Sequence, residues 1–228
     1  MGKICDNLAI IHDRIAHAEA RAGRAPGSVK LLAVSKTHPA RVIREALHCG
    51  QRLFGESYVQ EWIDKAAELA DEPVEWHFIG PIQSNKTRLI AEHAAWVHSL
   101  DRVKIAERLS AQRPASLPPL QVCLQVNISA EPTKSGAAPA ELPALAEAVS
   151  ALPGLKLRGL MAIPAPTEDI IAQRRAFAAV REVQETLCAR GLELDTLSMG
   201  MTGDMEAAIA EGATLVRIGT AIFGERGA

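Results

Sequence analysis

Residues 197–224 read Leu-Ser-Met-Gly-Met-Thr-Gly-Asp-Met-Glu-Ala-Ala-Ile-Ala-Glu-Gly-Ala-Thr-Leu-Val-Arg-Ile-Gly-Thr-Ala-Ile-Phe-Gly, and this stretch decides the fold. It holds two apolar strand patterns, each followed by a glycine-containing loop, with a short helical pattern at 205–210 between them. Glycine lets the backbone approach an anion, hydroxyl groups donate to it, and a following helix adds unpaired N–H groups. A phosphate site in the loops after strands seven and eight recurs in TIM barrels. The alternative is that Gly200, Gly203 and Gly219 only shape tight turns.

The rest of the chain repeats a strand-then-helix rhythm, which is typical of parallel strands joined by crossover helices. An amphipathic helix is predicted first, at 5–21, and no G-x-G-x-x-G follows the first strand, which disfavours a doubly wound open sheet. We therefore predict an α/β fold, a single (β/α)₈ TIM barrel with an extra N-terminal helix, forming one domain over residues 1–228. The proline-rich stretches 113–119 and 132–143 are predicted to be loops. The predicted strands are 29–35, 51–54, 74–79, 96–99, 120–128, 155–163, 196–199 and 214–218.

Composition excludes several classes of protein. Lys and Arg number 25 against 27 Asp and Glu, for a formal net charge of −2, so no basic excess indicates a nucleic-acid partner. No apolar run approaches the length of a membrane span, and the seven histidines show no metal-binding spacing, so we expect no membrane and no metal site. Four scattered cysteines are expected to be free thiols in a reducing compartment, and the protein is expected to be cytoplasmic.

The end of the first predicted strand carries a lysine. The sequence there is Ser35-Lys-Thr-His-Pro39, and Pro39 suits the first position of a helix, so Lys36 falls on the strand–helix junction. Apolar surroundings lower the pKa of a lysine, and a neutral amine is what Schiff-base chemistry needs. The alternative is a solvated lysine that begins a helix.

A lysine that accepts an aldehyde and a phosphate site on the same rim together suggest a ligand that carries both groups, and pyridoxal 5′-phosphate has that design. Arg217 precedes the second glycine loop, where it could reach the ring nitrogen of such a ligand. An arginine keeps its own proton, so it favours an unprotonated ring, which is a poor electron sink. The alternative for Arg217 is a charge on the outer face of the barrel.

Motifs along the whole chain resemble those of the pyridoxal phosphate homeostasis protein family. That family is similar to the N-terminal barrel of alanine racemase, known as fold type III of the pyridoxal phosphate proteins. The resemblance is carried by Ala33-Val-Ser-Lys-Thr37, Phe54-Gly-Glu56, Trp76-His-Phe-Ile-Gly80, Gln83-Ser-Asn-Lys86, Gly159-Leu-Met161, Ser198-Met-Gly-Met201 and Arg217-Ile-Gly-Thr-Ala-Ile-Phe-Gly224.

The resemblance implies a role for individual residues. Lys36 would be the Schiff-base lysine, Arg217 would face the ring nitrogen, and other residues would complete the cofactor site. Ser57 stands where the family has Asn, and His38 stands where a second lysine is frequent. Lys134 matches a lysine that serves as a secondary cofactor site in the family. The alternative is a loop lysine that faces water. By resemblance Ser198, Gly219 and Thr220 hold the phosphate. Met199, Ser57 and His77 are also predicted to bind the cofactor, and the alternative for His77 is a hydrogen-bonded core group.

The resemblance implies a protein that binds pyridoxal 5′-phosphate in intracellular cofactor homeostasis and hands it to apoenzymes, without turnover of its own. We expect a monomer, because no dimerisation domain is visible in the sequence. The first alternative is an amino-acid racemase, which needs acid–base groups on both faces of the ring. The chain has a single tyrosine, Tyr58, and no visible second domain to supply another group. The second alternative is a TIM-barrel enzyme that uses Lys36 on another phosphorylated substrate.

Overall fold

The computed structural model describes residues 2–129 and 135–225. Eight strands close into a barrel in chain order, and β8 pairs with β1 in parallel to complete the ring. The predicted (β/α)₈ barrel with an extra N-terminal helix is confirmed. The strands are β1 (Lys30–Val34), β2 (Leu53–Glu56), β3 (Glu75–Phe78), β4 (Trp96–Leu100), β5 (Leu120–Val126), β6 (Leu155–Ala162), β7 (Thr196–Ser198) and β8 (Leu215–Ile218).

Helices follow the strands and cover the outside of the barrel, because their apolar stripes need a partner surface. Phe54, Phe78 and Val97 of the strands are fully buried, as are Trp62 and Ile105 of the helices. The helices are α1 (Lys3–Arg21), α2 (Ala40–His48), α3 (Val59–Glu68), α4 (Thr87–His93), α5 (Val103–Gln112), α6 (Leu142–Ser150), α7 (Ile170–Ala189), α8 (Met205–Ala210) and α9 (Thr220–Phe223), with 3₁₀ turns at Ser84–Lys86 and Pro139–Glu141.

One of the two predicted proline-rich loops is partly helical. Residues 113–119 form the expected loop, but α6 begins at Leu142, inside the stretch 132–143 that we predicted as loop. Pro143 lies in the first turn of α6, where an N–H has no intrahelical partner and its absence costs nothing. The predicted secondary-site residue Lys134 lies outside the described residues. In the described part of the chain, no helix has both the length and the apolarity to cross a bilayer.

Helix α1 packs against the barrel through one apolar face, on which Leu8, Ile11 and Ile15 are buried. The structure also joins this helix to the end of α2 by a disulfide between Cys5 and Cys49, whose Cα atoms are 5.4 Å apart. The expectation of four free thiols is therefore wrong for this pair. Cys123 and Cys188 are free.

Candidate functional site

A cavity of about 200 Å³ opens at the carboxyl ends of the strands. This is the end at which TIM barrels carry their functional residues, because the βα loops gather there. The cavity brings together five of the eight predicted site residues. It is lined by Val34, Lys36, His38, Ser57, Ile79, Ile163, Met201, Thr202, Arg217, Gly219 and Thr220.

The segment on either side of Lys36 is held by carboxylates of β2 and helix α3. The hydroxyl of Ser35 donates to Glu56 Oε1 at 2.7 Å on one side of the lysine. On the other side the N–H of Thr37 donates to Glu61 Oε1 at 2.6 Å, and Thr37 has a φ of 68°. A β-branched residue rarely adopts this left-handed conformation. The bond from Glu61 compensates that cost and fixes the direction in which the chain leaves Lys36.

Lys65 connects the two carboxylates of this clamp. Its ammonium is buried and donates to the carbonyl of Ser35 at 2.9 Å, to Glu56 Oε1 at 2.8 Å and to Glu61 Oε1 at 2.5 Å. Burial is the main cause that raises the pKa of Glu56, and the charge of Lys65 opposes that rise. A buried carboxylate without its cation would be strongly destabilising. Lys65 therefore stabilises the ionised carboxylates that position the Lys36 segment.

The opposite wall of the cavity is formed by the loops after β7 and β8. A Cβ on Gly219 would lie 3.0 Å from the carbonyl oxygen of Val34, so the backbone passes close to β1 there. Gly200 has a φ of 97°, and a Cβ there would lie 2.6 Å from the Cβ of Ala208. Gly200 therefore requires glycine for its backbone conformation as well as for space, and a side chain at Gly219 would be crowded by β1. This wall contributes the hydroxyl-bearing residues Thr202 and Thr220.

Arg217 lines the cavity although it is almost wholly buried. Its Nη1 donates to the carbonyl of Ser198 at 2.5 Å and to Ser198 Oγ at 2.9 Å, and its Nη2 donates to the carbonyl of Ala162 at 2.9 Å. Burial lowers the pKa of Arg217 to about 10, so the guanidinium still carries its charge at neutral pH. The three bonds fix its plane, and the alternative of an outer-face arginine is wrong.

Three predicted site residues do not line this cavity. The hydroxyl of Ser198 lies in the barrel interior, bonded to Arg217 and 2.8 Å from His98 Nδ1. Met199 is buried, and its N–H already donates to the carbonyl of Leu215 at 3.1 Å. The side chain of Ser198 lies in the barrel interior and that of Met199 in the hydrophobic core, whereas the loop beyond β7 reaches the cavity. Thr202 was not predicted as a site residue, although its hydroxyl stands between Gly200 and Gly203 in the loop after β7.

His77 is the third, and it is a hydrogen-bonded core group, which was the alternative to a place on the rim after β3. It lies within β3, is 1% exposed, and lines a second cavity of about 230 Å³ that it shares with Glu75 and Lys30. Glu75 and Lys30 begin their strands, so this cavity lies at the amino-terminal mouth of the barrel, opposite the first. Among the residues that the structure describes, no group of three His, Cys, Asp or Glu side chains could hold a metal ion.

Comparison with known proteins accounts for nearly the whole chain. The family model for "Alanine racemase, N-terminal domain" matches residues 7–227. A protein of Pseudomonas aeruginosa named pyridoxal phosphate homeostasis protein is 64% identical over 226 residues, which are 99% of this chain and 97% of that one. The chain belongs to the pyridoxal phosphate homeostasis protein family. A family member of the same name from Escherichia coli is 56% identical over 229 residues, covering 99% of this chain and 98% of its own.

Solved structures show the same barrel as in this member of the pyridoxal phosphate homeostasis protein family. PipY of Synechococcus elongatus, a structure with pyridoxal phosphate bound, is 41% identical with a TM-score of 0.84, over 97% of this chain and 100% of that chain. The alanine racemase of Corynebacterium glutamicum is 18% identical with a TM-score of 0.68, over 99% of this chain and 62% of that chain. The latter shares the fold.

Proposed function

We propose that this protein binds pyridoxal 5′-phosphate in the carboxyl-terminal cavity, covalently through Lys36, and serves intracellular cofactor homeostasis without turnover of its own. The observation that carries the proposal is the meeting of Lys36, Arg217 and the two glycine loops around one cavity. PipY, at 41% identity over nearly the whole chain, has pyridoxal phosphate bound, which supports the same ligand here.

The residues present fit this cofactor. A side chain at Gly219 would be crowded by the backbone of β1, and glycine there leaves the backbone open to an anion. Thr220 and Thr202 would donate hydrogen bonds from their hydroxyls to the phosphate. Thr202 would thus take the phosphate-binding role that the sequence suggested for Ser198. Bound pyridoxal phosphate supplies an aldehyde carbon and an electron-withdrawing ring. Lys36 would supply the amine, and its segment is already held by the Glu56–Glu61–Lys65 clamp.

The non-catalytic part of the proposal is supported by Arg217. A guanidinium that keeps its proton leaves the ring nitrogen unprotonated, and the ring then withdraws electrons weakly. Tyr58 does not line the cavity and its surface is 53% exposed. His38 lines the cavity and is an ionisable group that racemisation could use as an acid or base. Its ring packs on Phe223 at a centroid distance of 5.3 Å.

The experiment is an absorbance spectrum of the purified protein, followed by borohydride reduction and mass spectrometry of its peptides. We expect a yellow protein with the cofactor attached to Lys36. Lys36→Ala should remove the adduct without loss of fold, whereas Lys104→Ala, which removes an exposed lysine on α5, should leave it intact. An adduct mainly on another lysine, for example Lys134, would contradict the assignment. A colourless protein that binds a sugar phosphate would favour the other phosphorylated substrate.

We further propose that cofactor transfer to apoenzymes takes place across the face beside this cavity. Ile163, Ile170 and Met201 are apolar side chains at 39%, 60% and 41% exposure, and all three line a cavity that adjoins the first one through Ile163 and Met201. Exposed apolar groups beside a binding site are typical of interaction surfaces. A recipient that contacts this face could take the cofactor without its release to water.

A further inference from the structure

A line of hydrogen-bonding groups crosses the interior of the barrel from one mouth to the other. His77 Nε2 lies 3.0 Å from Glu75 Oε1, and His77 Nδ1 lies 2.8 Å from His98 Nε2. His98 Nδ1 lies 2.8 Å from Ser198 Oγ, which accepts from Arg217 Nη1 at 2.9 Å. β4 and β7 are three strands apart in the eight-stranded ring, so the contact from His98 to Ser198 crosses the interior of the barrel.

The two ends of this line determine its direction. Arginine can only donate hydrogen bonds, and an ionised carboxylate can only accept them. Hydrogen bonding from His77 is the main cause that lowers the pKa of Glu75, and burial lowers the pKa of both histidines, so Glu75 is charged and both imidazoles are neutral. Each neutral imidazole then has one donor and one acceptor nitrogen. The arrangement that satisfies every link runs Arg217 to Ser198 to His98 to His77 to Glu75, with both rings protonated on Nε2.

We propose that Glu75, His77, His98 and Ser198 are positioning residues that form a directed relay, which orients Arg217 at the cofactor cavity and couples it to the charge of Glu75 at the opposite mouth. This rests on the proposed function, in which Arg217 faces the cofactor ring. Glu75 has 45% of its side chain exposed, so the relay has one end open to solvent or to a ligand. Its other members are buried.

A proton added to Glu75 would reverse the relay. The protonated carboxyl would donate to His77 Nε2, and both rings would then carry their proton on Nδ1. His98 would donate to Ser198 Oγ, and the serine proton would turn away from His98. The reversal adds one proton in total, on Glu75. Each imidazole still carries one proton, now on Nδ1 instead of Nε2, and Ser198 keeps its own, so the number of protons balances. Ser198 Oγ would then accept hydrogen bonds from both His98 and Arg217, whereas before it accepted only from Arg217.

Other charges near the Glu75 end do not break the relay. Lys30 on β1 lowers the pKa of Glu75 and of His77 through its charge. Arg158 and Asp195 form a bidentate pair with bonds of 3.0 and 2.5 Å, so their charges largely cancel near the mouth. This surrounding therefore keeps Glu75 ionised at neutral pH.

The groups near the Arg217 end act in the same direction. Burial raises the pKa of Cys123 to about 12, so this thiol is neutral at physiological pH. Asp204 attracts Arg217 by charge, and burial raises the pKa of Asp204 itself. The charge of Arg217 lowers the pKa of His98, which disfavours an imidazolium in the middle of the relay.

The first test needs no cofactor. In ¹⁵N-histidine-labelled protein, the ring nitrogens of His77 and His98 should both show the Nε2–H tautomer at neutral pH, assigned by comparison with His77→Gln and His98→Gln. Either ring in the Nδ1–H form, or as an imidazolium, would overturn the relay. The tautomers are read from the unaltered protein, and the variants serve only to assign the signals. If a variant folds poorly, the two rings are assigned by their proximity to Trp96, whose ring centroid lies 5.6 Å from His77 and 5.9 Å from His98.

The second test measures the coupling to the cavity. The pH midpoint of the visible absorbance of bound pyridoxal phosphate should shift on the order of half a pH unit in Glu75→Gln, as for one charge acting across the barrel. Glu147→Gln removes an exposed carboxylate on α6 and should leave the midpoint unchanged. Ser198→Ala should shift it, and Ser198→Thr, which keeps the hydroxyl, should restore it. A midpoint equal to that of the wild type in both Glu75→Gln and Ser198→Ala would overturn the coupling. A protein that retains no pyridoxal phosphate would instead contradict the proposed function, while the tautomers would still decide the relay.

Discussion

Reduction of the Cys5–Cys49 disulfide is expected to lower the stability of the protein without detaching α1. The two cysteines are 44 residues apart. In the chain-entropy model, a cross-link that closes a loop of this size restricts the unfolded chain and contributes about 4 kcal/mol. For a chain of this length each kcal/mol corresponds to roughly 2–4 °C, so the melting temperature should fall by roughly 8–16 °C on reduction.

Helix α1 should stay docked in the reduced protein, because its packing does not depend on the disulfide. Leu8, Ile11 and Ile15 remain buried against the barrel, and each buried aliphatic side chain contributes about 1.5–3 kcal/mol. The far-ultraviolet circular dichroism at 25 °C should therefore be unchanged by reduction. The loss should appear only in the thermal or urea transition.

The assay is a pair of melting curves with and without a phosphine reductant, with thiols counted before each scan. The double variant Cys5→Ala/Cys49→Ala should melt at the temperature of the reduced wild type in both conditions. Cys188→Ser changes a free, exposed thiol and should leave the difference intact. Equal melting temperatures for the oxidised and fully reduced wild type would refute the reasoning, as would four reactive thiols in the unfolded, unreduced protein.

Four further outcomes follow from the site. Thr220→Val and Thr202→Val should each weaken retention of pyridoxal phosphate by about one to two decades in equilibrium dialysis, since each loses a hydrogen bond to a charged acceptor worth roughly 1.5–3 kcal/mol. Burial raises the pKa of Glu56. At pH values between the ordinary and the raised pKa, Glu56 is therefore protonated in the folded protein and ionised in the unfolded chain. The free energy of unfolding should therefore fall as pH rises from the ordinary to the raised pKa, and Glu56→Gln should remove that part of the slope in urea titrations. Alanine should not racemise at an enzymatic rate, so α-deuterium exchange at saturating cofactor should stay well below the roughly 1 s⁻¹ of slow enzymes. Ile170→Asp should slow cofactor transfer to an apoenzyme while leaving dialysis retention unchanged.

Each of these has a matched control or an outcome that would contradict it. Pyridoxal, which lacks the phosphate, should lose little affinity in the two threonine variants, and equal losses for both ligands would argue against a phosphate role. Glu147→Gln, an exposed change on α6, should keep the pH slope of the wild type. Exchange faster than free pyridoxal phosphate would indicate catalysis. Transfer that is insensitive to Ile170→Asp would remove the proposed contact face.

Sequence reasoning located the barrel because its strands are buried on both faces and therefore stand out as apolar runs. It located Lys36, Gly219 and Thr220 because these follow directly from where strands end. It misplaced Ser198 because the direction of a side chain at a strand end depends on the twist and tilt of the closed sheet, which no local pattern records. Thr202, four residues further, reaches the cavity instead.

The other differences also come from tertiary contacts. His77 appeared in a motif near a rim, yet it lies inside β3, where its polar ring is tolerated because His98 and Glu75 bond to it. Cys5 and Cys49 are far apart in sequence and meet only because α1 packs beside α2. The start of α6 was missed because its prolines were interpreted as loop residues.

The cavity lies on the seam at which the first and last strands of the barrel meet. Lys36 follows β1 and Gly219 follows β8, so its two walls are contributed by opposite ends of the chain. Contacts of such large sequence separation form late, because the entropy of loop closure opposes them. In a nascent or partly refolded chain, Lys36 would thus be in place long before the loops after β7 and β8 form the anion-binding wall. A ligand that touches both walls would bind only to the closed ring, and it would add RT ln(1 + [L]/Kd) to the stability of that closure. The concentration of free pyridoxal phosphate would then affect folding during biogenesis, because the ligand would stabilise molecules in which β8 has docked on β1.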